Sequence, residues 1–218
     1  MNNSFDITIL GGGPGGYVAA IRASQLGLKT AIIDQDELGG VCLNWGCIPT
    51  KSLLKSAEMI NSIKNAEQYG IKIPSYKIEH GKIVDRSRQI SERLSKGISF
   101  LMKKNNIKHI QGRGVFTTTN NIEVSNGRKV TNIKSKHFII ATGGRPNNVP
   151  GISFDGKQII SSKEAMVLNK PPKDMLIIGA GAIGSEFAYF YNTCGTKVVM
   201  IEMMGRILPM EDEDISKE

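Results

Sequence analysis

FDITILGGGPGGYVAAIRASQLGLKTAIID, residues 5–34, runs from a short apolar stretch into a glycine-rich turn, then a segment with apolar residues at helical spacing, then a second apolar stretch. The period changes from strand-like to helix-like and back, which predicts a β-α-β unit. Gly11, Gly13 and Gly16 form G-x-G-x-x-G directly between strand and helix. In that setting the first glycine allows a tight turn, the second lets the backbone approach a pyrophosphate, and the third permits close helix–strand packing. The anion then rests on the helix N-terminus, where unpaired N–H groups and the helix dipole point at it. Asp34 ends the second strand, and an acid there accepts hydrogen bonds from ribose hydroxyls.

The pattern returns once. MLIIGAGAIGSEFAYFYNTCGTKVVMIE, residues 175–202, is a second β-α-β stretch with Gly179, Gly181 and Gly184 in the turn and Glu202 at the strand end. Asp34 and Glu202 each lie 23 residues past the first glycine of their own turn. An acid at this place repels a 2′-phosphate, so Glu202 favours NAD over NADP. The loop-rich NNVPGISFDG at 147–156 reads as the change between the units, which places one domain at 1–150 and a second, partial one at 151–218. A doubly wound sheet needs more strands and helices than the 16 residues after Glu202 can supply, so the expectation is a fragment, or a sheet completed from elsewhere.

Between the units, residues 48–65 predict a helix starting near Pro49, and Gly81 to Asn105 predicts another. In the latter, Ile83, Ile90, Leu94, Ile98 and Leu101 form an amphipathic core face. From 107 to 141 the texture is β-rich, with Asn126-Gly127 as a hairpin signal and SKHFIIATGGRP as a buried strand entering a glycine turn.

GGVCLNWGCIPTKSLL, residues 39–54, carries Cys42 and Cys47. A metal site needs about four ligands. The remaining cysteine, Cys194, and the histidines, His80, His109 and His137, are scattered, so no metal site is expected. In a regular helix, positions five apart rise about 7.5 Å and diverge, too far for a disulfide. Any bond between the two therefore needs an irregular segment, which Gly39, Gly40 and Gly46 permit. Cys47 falls near the start of the Pro49 helix, where the dipole favours a thiolate, and Lys51 lies one turn on along the same face. A structural bridge and a pair cycling between dithiol and disulfide both stay open on these grounds.

Composition bounds the rest. The chain has 218 residues, 40% apolar, enough for one large or two small domains. Three cysteines are too few for a disulfide-built secreted fold, and no apolar run approaches the roughly 18–20 residues of a membrane span. The opening residues carry no basic leader, so a cytoplasmic protein without membrane attachment is expected. The net charge of +8 comes from dispersed lysines without aromatic interleaving, so nucleic acid is not an expected partner.

Taken together, ILGGGPGGYVAA, the cysteine segment, GRGVF, IIATGGRP, IIGAGAIGSEFAYF and ILPMEDEDIS resemble the pyridine nucleotide-disulfide oxidoreductases along the whole chain. Within that family the chain is most similar to the branch that oxidises dihydrolipoyl groups. The resemblance implies a fold and a set of roles. The fold is an FAD-binding Rossmann-like α/β domain with an inserted antiparallel segment, followed by the start of a second, NAD-binding one. Gly11, Gly13 and Gly16 hold the FAD pyrophosphate and Asp34 its ribose. Gly40, Val41 and Cys42 lie on the flavin side, Gly114 meets the adenine, and Thr142 and Gly143 close over the cofactor. Gly179, Gly181, Gly184 and Glu202 serve NAD. Cys42 and Cys47 form a redox disulfide in which Cys42 exchanges with substrate and Cys47 faces the flavin, while Lys51 sits near the flavin and pairs with Glu186. The implied partners are the lipoyl domain of a 2-oxo acid dehydrogenase complex and a second subunit in the full-length form, which supplies a catalytic base. By itself this polypeptide is expected to bind flavin without turnover.

Overall fold

The computed structural model describes residues 3–218. Its elements follow in chain order as β1 (Ser4–Leu10), α1 (Pro14–Gln25), β2 (Thr30–Asp34), α2 (Gly40–Trp45), α3 (Cys47–Lys64), α4 (His80–Lys104), β3 (Lys108–Gln111), β4 (Arg113–Thr118), β5 (Asn121–Asn126), β6 (Lys129–Ile140), α5 (Ser162–Ala165), β7 (Asp174–Ile178), α6 (Ala182–Thr193), β8 (Lys197–Ile201) and α7 (Glu213–Lys217). They divide into two compact units, Met1–Cys47 with Ile90–Pro146, and Ile48–Gln89 with Asn147–Glu218.

The first unit is built on a six-stranded sheet in the order β3-β2-β1-β6-β5-β4. The first four strands of that order pair in parallel and the last three antiparallel, which is the α/β architecture with an antiparallel insertion. The sheet curls so that β4 passes close over β1 and β2: a Cβ on Gly114 would lie 2.7 Å from Leu10 and 3.4 Å from Ile33. Phe5, Ala31, Ile33, Ile122, Val124 and Ile133 fill the space inside the curl. Each of the larger side chains among them contributes roughly 1.5–3 kcal/mol through its burial. On the helix side, α1 starts with Pro14 in its first turn and buries Gly16, Ala20 and Ala23, small residues that let the helix approach the sheet.

The second unit pairs β7 and β8 in parallel, with α6 between them in sequence. Leu53 and Ala57 of α3, Ala165 and Met166, and Phe187, Phe190 and Tyr191 of α6 make its core, against which Met175, Ile177 and Val198 pack. Alternate residues of the two strands, Leu176, Ile178, Val199 and Ile201, are exposed.

Three expectations change in detail. The hairpin at Asn126 exists, but Asn126 faces Lys129, so the two-residue loop is Gly127-Arg128, with the left-handed backbone at Gly127. The long helix runs as predicted, yet its buried stripe is Val84, Ser87, Ser91, Ile98 and Met102, while Leu94 and Leu101 are exposed. Two serines take core positions that a hydrophobicity pattern assigns to larger apolar residues. Lastly, β6 is internal to the sheet by its pairing with β1 and β5, but it is not a buried strand: Ile140 at its end is 68% exposed. Ladder position and coverage of a strand's faces are separate properties.

Candidate functional site

The first glycine turn is over-determined by its own chain at two points and left open at a third. Gly11 has φ +111°, and a Cβ there would lie 2.1 Å from the carbonyl oxygen of Ala141. A Cβ on Gly16 would lie 1.8 Å from the carbonyl oxygen of Gly11. Gly13 is different: a Cβ would meet only Gly40 Cα, at an ordinary 3.7 Å. Gly13 also caps α1 without a side-chain hydrogen bond, and the helix has no acid in its first turn. The chain therefore leaves both the space and the N–H groups that an anion would use.

The middle peptide of the turn is held from both sides. The N–H of Gly12 donates to the Asp34 carboxylate, whose other oxygen accepts from the N–H of Asp36 at 2.8 Å. The carbonyl of Gly12 accepts from the N–H of Gly39 at 2.8 Å. Gly39 and Gly40 are left-handed, at φ +106° and +62°, and a Cβ on Gly40 would lie 2.5 Å from Gly13 Cα. The cysteine segment thus leaves directly from the glycine turn.

Cys42 does not sit in irregular backbone. It lies in the short helix α2, and the break comes afterwards at Gly46, with φ −143° and ψ −122°. A Cβ at Gly46 would press on the carbonyl oxygen of Val41 at 3.0 Å and on Cys42 Cα at 3.1 Å, so the chain can fold back at this point because the residue is glycine. The next residue, Cys47, opens α3. Cys42 is a half-buried thiol and Cys47 an exposed one, while Val41 is exposed. Asn44, which the sequence does not single out, is buried and donates to the carbonyls of Glu37 and Leu38 at 3.3 and 3.2 Å, anchoring α2 to the loop before it.

Of the remaining residues expected at this site, Gly114 lacks a side chain for a packing reason of its own, the close passage of β4 over Leu10 and Ile33. Thr142 and Gly143 follow Ala141 as exposed backbone, Gly143 with φ +71°. Just beyond them Arg145 pairs with Asp36 at 3.1 Å, a link between the segments after β6 and β2 that no motif announces.

In the second unit the arrangement repeats. The N–H of Ala180 donates to Glu202 at 2.8 Å, and the other Glu202 oxygen accepts from Met204 at 2.8 Å. These bonds, Met204's first, hold the Glu202 carboxyl below its ordinary pKa, with desolvation opposing them. Gly184 packs on Gly179, its Cβ position 2.0 Å from that carbonyl oxygen, and Gly181 has open space around it and no side-chain cap. The carbonyl of Ala180 accepts from the N–H of Leu208 at 2.8 Å. Within this unit Lys51 of α3 and Glu186 of α6 form an ion pair, Glu186 being the less exposed partner.

The family model described as pyridine nucleotide-disulphide oxidoreductase matches residues 5–218. The chain is 46% identical to a dihydrolipoyl dehydrogenase of Rhizobium etli, with 99% of this chain and 48% of the relative covered. It is 46% identical to that of Zymomonas mobilis, with 99% and 47% covered, and 42% identical to one of Bacillus subtilis, with 100% and 48% covered. It spans about half the length of these curated relatives.

Proposed function

We propose, for a chain that belongs to the pyridine nucleotide-disulphide oxidoreductase family, that it is the cofactor-binding and dithiol half of a dihydrolipoyl dehydrogenase. In this reading it binds FAD in its first unit and NAD at the turn of its second. The observation that carries the reading is the bond from Gly39 to Gly12: the segment bearing Cys42 and Cys47 grows out of the turn that takes the dinucleotide. The open space at Gly13 and the uncapped start of α1 fit the FAD pyrophosphate, and in this reading Asp34 takes its ribose. When bound, FAD supplies an acceptor for two electrons, and NAD carries them away as hydride.

The chain's own part is thiol exchange. One thiolate of the substrate dithiol attacks Cys42 Sγ of a Cys42–Cys47 disulfide, and Cys47 leaves as thiolate. The second substrate thiolate then displaces Cys42, closing the substrate disulfide and leaving two protein thiols. The substrate loses two electrons and two protons, and the protein disulfide gains the electrons. In this reading the Lys51–Glu186 ion pair of the second unit serves the nicotinamide side. The substrate is a dihydrolipoyl group on a 2-oxo acid dehydrogenase complex, the longer form works as a homodimer, and the low cysteine count suits a cytoplasmic, reducing compartment. In this reading the residues of this chain carry flavin binding and thiol exchange.

The test is anaerobic reduction of the FAD-loaded chain by dihydrolipoamide. We expect the first equivalent of dihydrolipoamide to expose two thiols and a second equivalent to bleach the flavin, and loss of at least about 100-fold in rate for Cys47→Ser, since the leaving group is gone. Reduction at an unchanged rate in that variant would rule out the dithiol route.

A further inference from the structure

The second glycine turn is held by a residue that is strained in order to hold it. Leu208 has φ +47°, a left-handed backbone that a leucine rarely adopts, and its N–H donates to the carbonyl of Ala180 at 2.8 Å. In the first unit the same bond is made by Gly39, where φ +106° costs little. A leucine keeps such a conformation only where its surroundings over-determine it. Those surroundings are a clasp centred on Arg206. Its guanidinium donates to the carbonyls of Glu211 at 2.9 Å and Pro209 at 3.4 Å, and pairs with Glu213 at 3.2 Å. The carbonyl of Leu208 in turn accepts from the N–H of Glu211 at 2.9 Å. The kink is closed on itself, with Leu208 at its centre.

We propose that Arg206 is a positioning residue for the second dinucleotide site. It forces Leu208 into the left-handed conformation, so that the Leu208 N–H fixes the Ala180 peptide and with it the direction of the N–H groups at Gly181 and the start of α6. This rests on the reading of the second unit as a pyridine-nucleotide site. Glycine needs no forcing, so replacing Leu208 by glycine makes the clasp dispensable. Lysine in place of Arg206 keeps the charge but loses the fork that reaches the carbonyls through one nitrogen and the Glu213 carboxylate through the other.

The experiment is a double-substitution cycle on the full FAD-loaded chain, read as NADH dissociation constants by fluorescence, with the thermal midpoint and flavin spectrum recorded for each variant. Arg206→Met and Arg206→Lys should each weaken NADH about tenfold, a factor equivalent to about 1.4 kcal/mol. In the Leu208→Gly background the same changes should weaken it by less than about twofold, the coupling expected of residues that act through one another. The flavin spectrum should stay as it was in all variants. Equal losses in both backgrounds, or no loss in either, would overturn the proposal. If the unsubstituted chain takes up no NADH, the reading of the second unit fails and the proposal falls with it.

Discussion

The two glycine turns share a spelling and a hydrogen-bond plan but not a set of constraints. In both, the residue after the first glycine gives its N–H to the acid 22 positions on, and its carbonyl accepts from a left-handed residue further along. In the first, β1 has neighbours on both sides, and Ala141, arriving at the end of β6, fills the space beside Gly11. In the second, β7 pairs with β8 alone among the described residues, and nothing lies within 4 Å of where a Gly179 Cβ would be. Gly11 is therefore required by conformation and by packing, Gly179 by conformation only. A motif names the positions where side chains are refused without saying what refuses them.

The sharpest way to break this comparison is to add one methyl group at each first glycine. Gly11→Ala places a Cβ onto a backbone carbonyl as well as into a left-handed conformation, and should cost about 3–5 kcal/mol and unfold the first unit's turn. Gly179→Ala meets only the conformational term, about 1–2 kcal/mol. Denaturant unfolding of the two variants checks the difference. Gly16→Ala and Gly184→Ala serve as the control, because their Cβ positions lie 1.8 and 2.0 Å from the first glycine's carbonyl, and both should be severe. Equal costs at positions 11 and 179 would mean that Ala141 yields readily.

A second substitution separates what the chain refuses from what a ligand refuses. Gly13→Ala has room, with extended backbone at φ −72° and ψ −176°, so its stability should change by less than about 1 kcal/mol. Its FAD affinity should nonetheless fall by about 100-fold or more, as a methyl group takes the place of the close backbone approach to a pyrophosphate. Equilibrium dialysis against FAD reads this directly, and retained affinity would mean that no pyrophosphate lies against the bare backbone of Gly13.

These contrasts also show what a sequence can carry. Gly11, Gly16, Gly179 and Gly184 are legible because local backbone geometry alone excludes a side chain there, and Asp34 and Glu202 because they end a strand at a fixed distance from the turn. The start of α3 at Cys47 is legible from Pro49. Leu208 is not, since leucine gives no sign of a left-handed backbone that Arg206 imposes. The buried face of α4 escapes the apolar pattern for a related reason: Ser87 and Ser91 are buried and Leu94 is not, because neighbouring elements decide which face they cover. Asn44 has the look of filler between two cysteines, although its amide ties α2 down.

The smallest effect concerns the cores. The first unit's core inside the sheet mixes its apolar side chains with two buried hydroxyls, Thr8 and Ser135, whereas the second unit's core carries a titratable histidine against its aromatic side. His80 is 6% exposed, with the rings of Phe190 and Tyr191 at 5.5 and 6.0 Å. Burial pushes its imidazole pKa below the ordinary value, and the Leu168 carbonyl partly opposes this. As the pH falls below the unfolded value of about 6.5, the unfolded chain takes up a proton that the folded unit resists, so stability present above that pH is lost on acidification. The loss stops growing once the pH is below the folded pKa. The thermal midpoint of the second unit should drop across this window. His80→Phe should flatten that part of the profile while leaving the first unit's unfolding untouched. An unchanged slope in the variant would place the acid sensitivity elsewhere, and the two cores would then differ in composition but not in their response to protons.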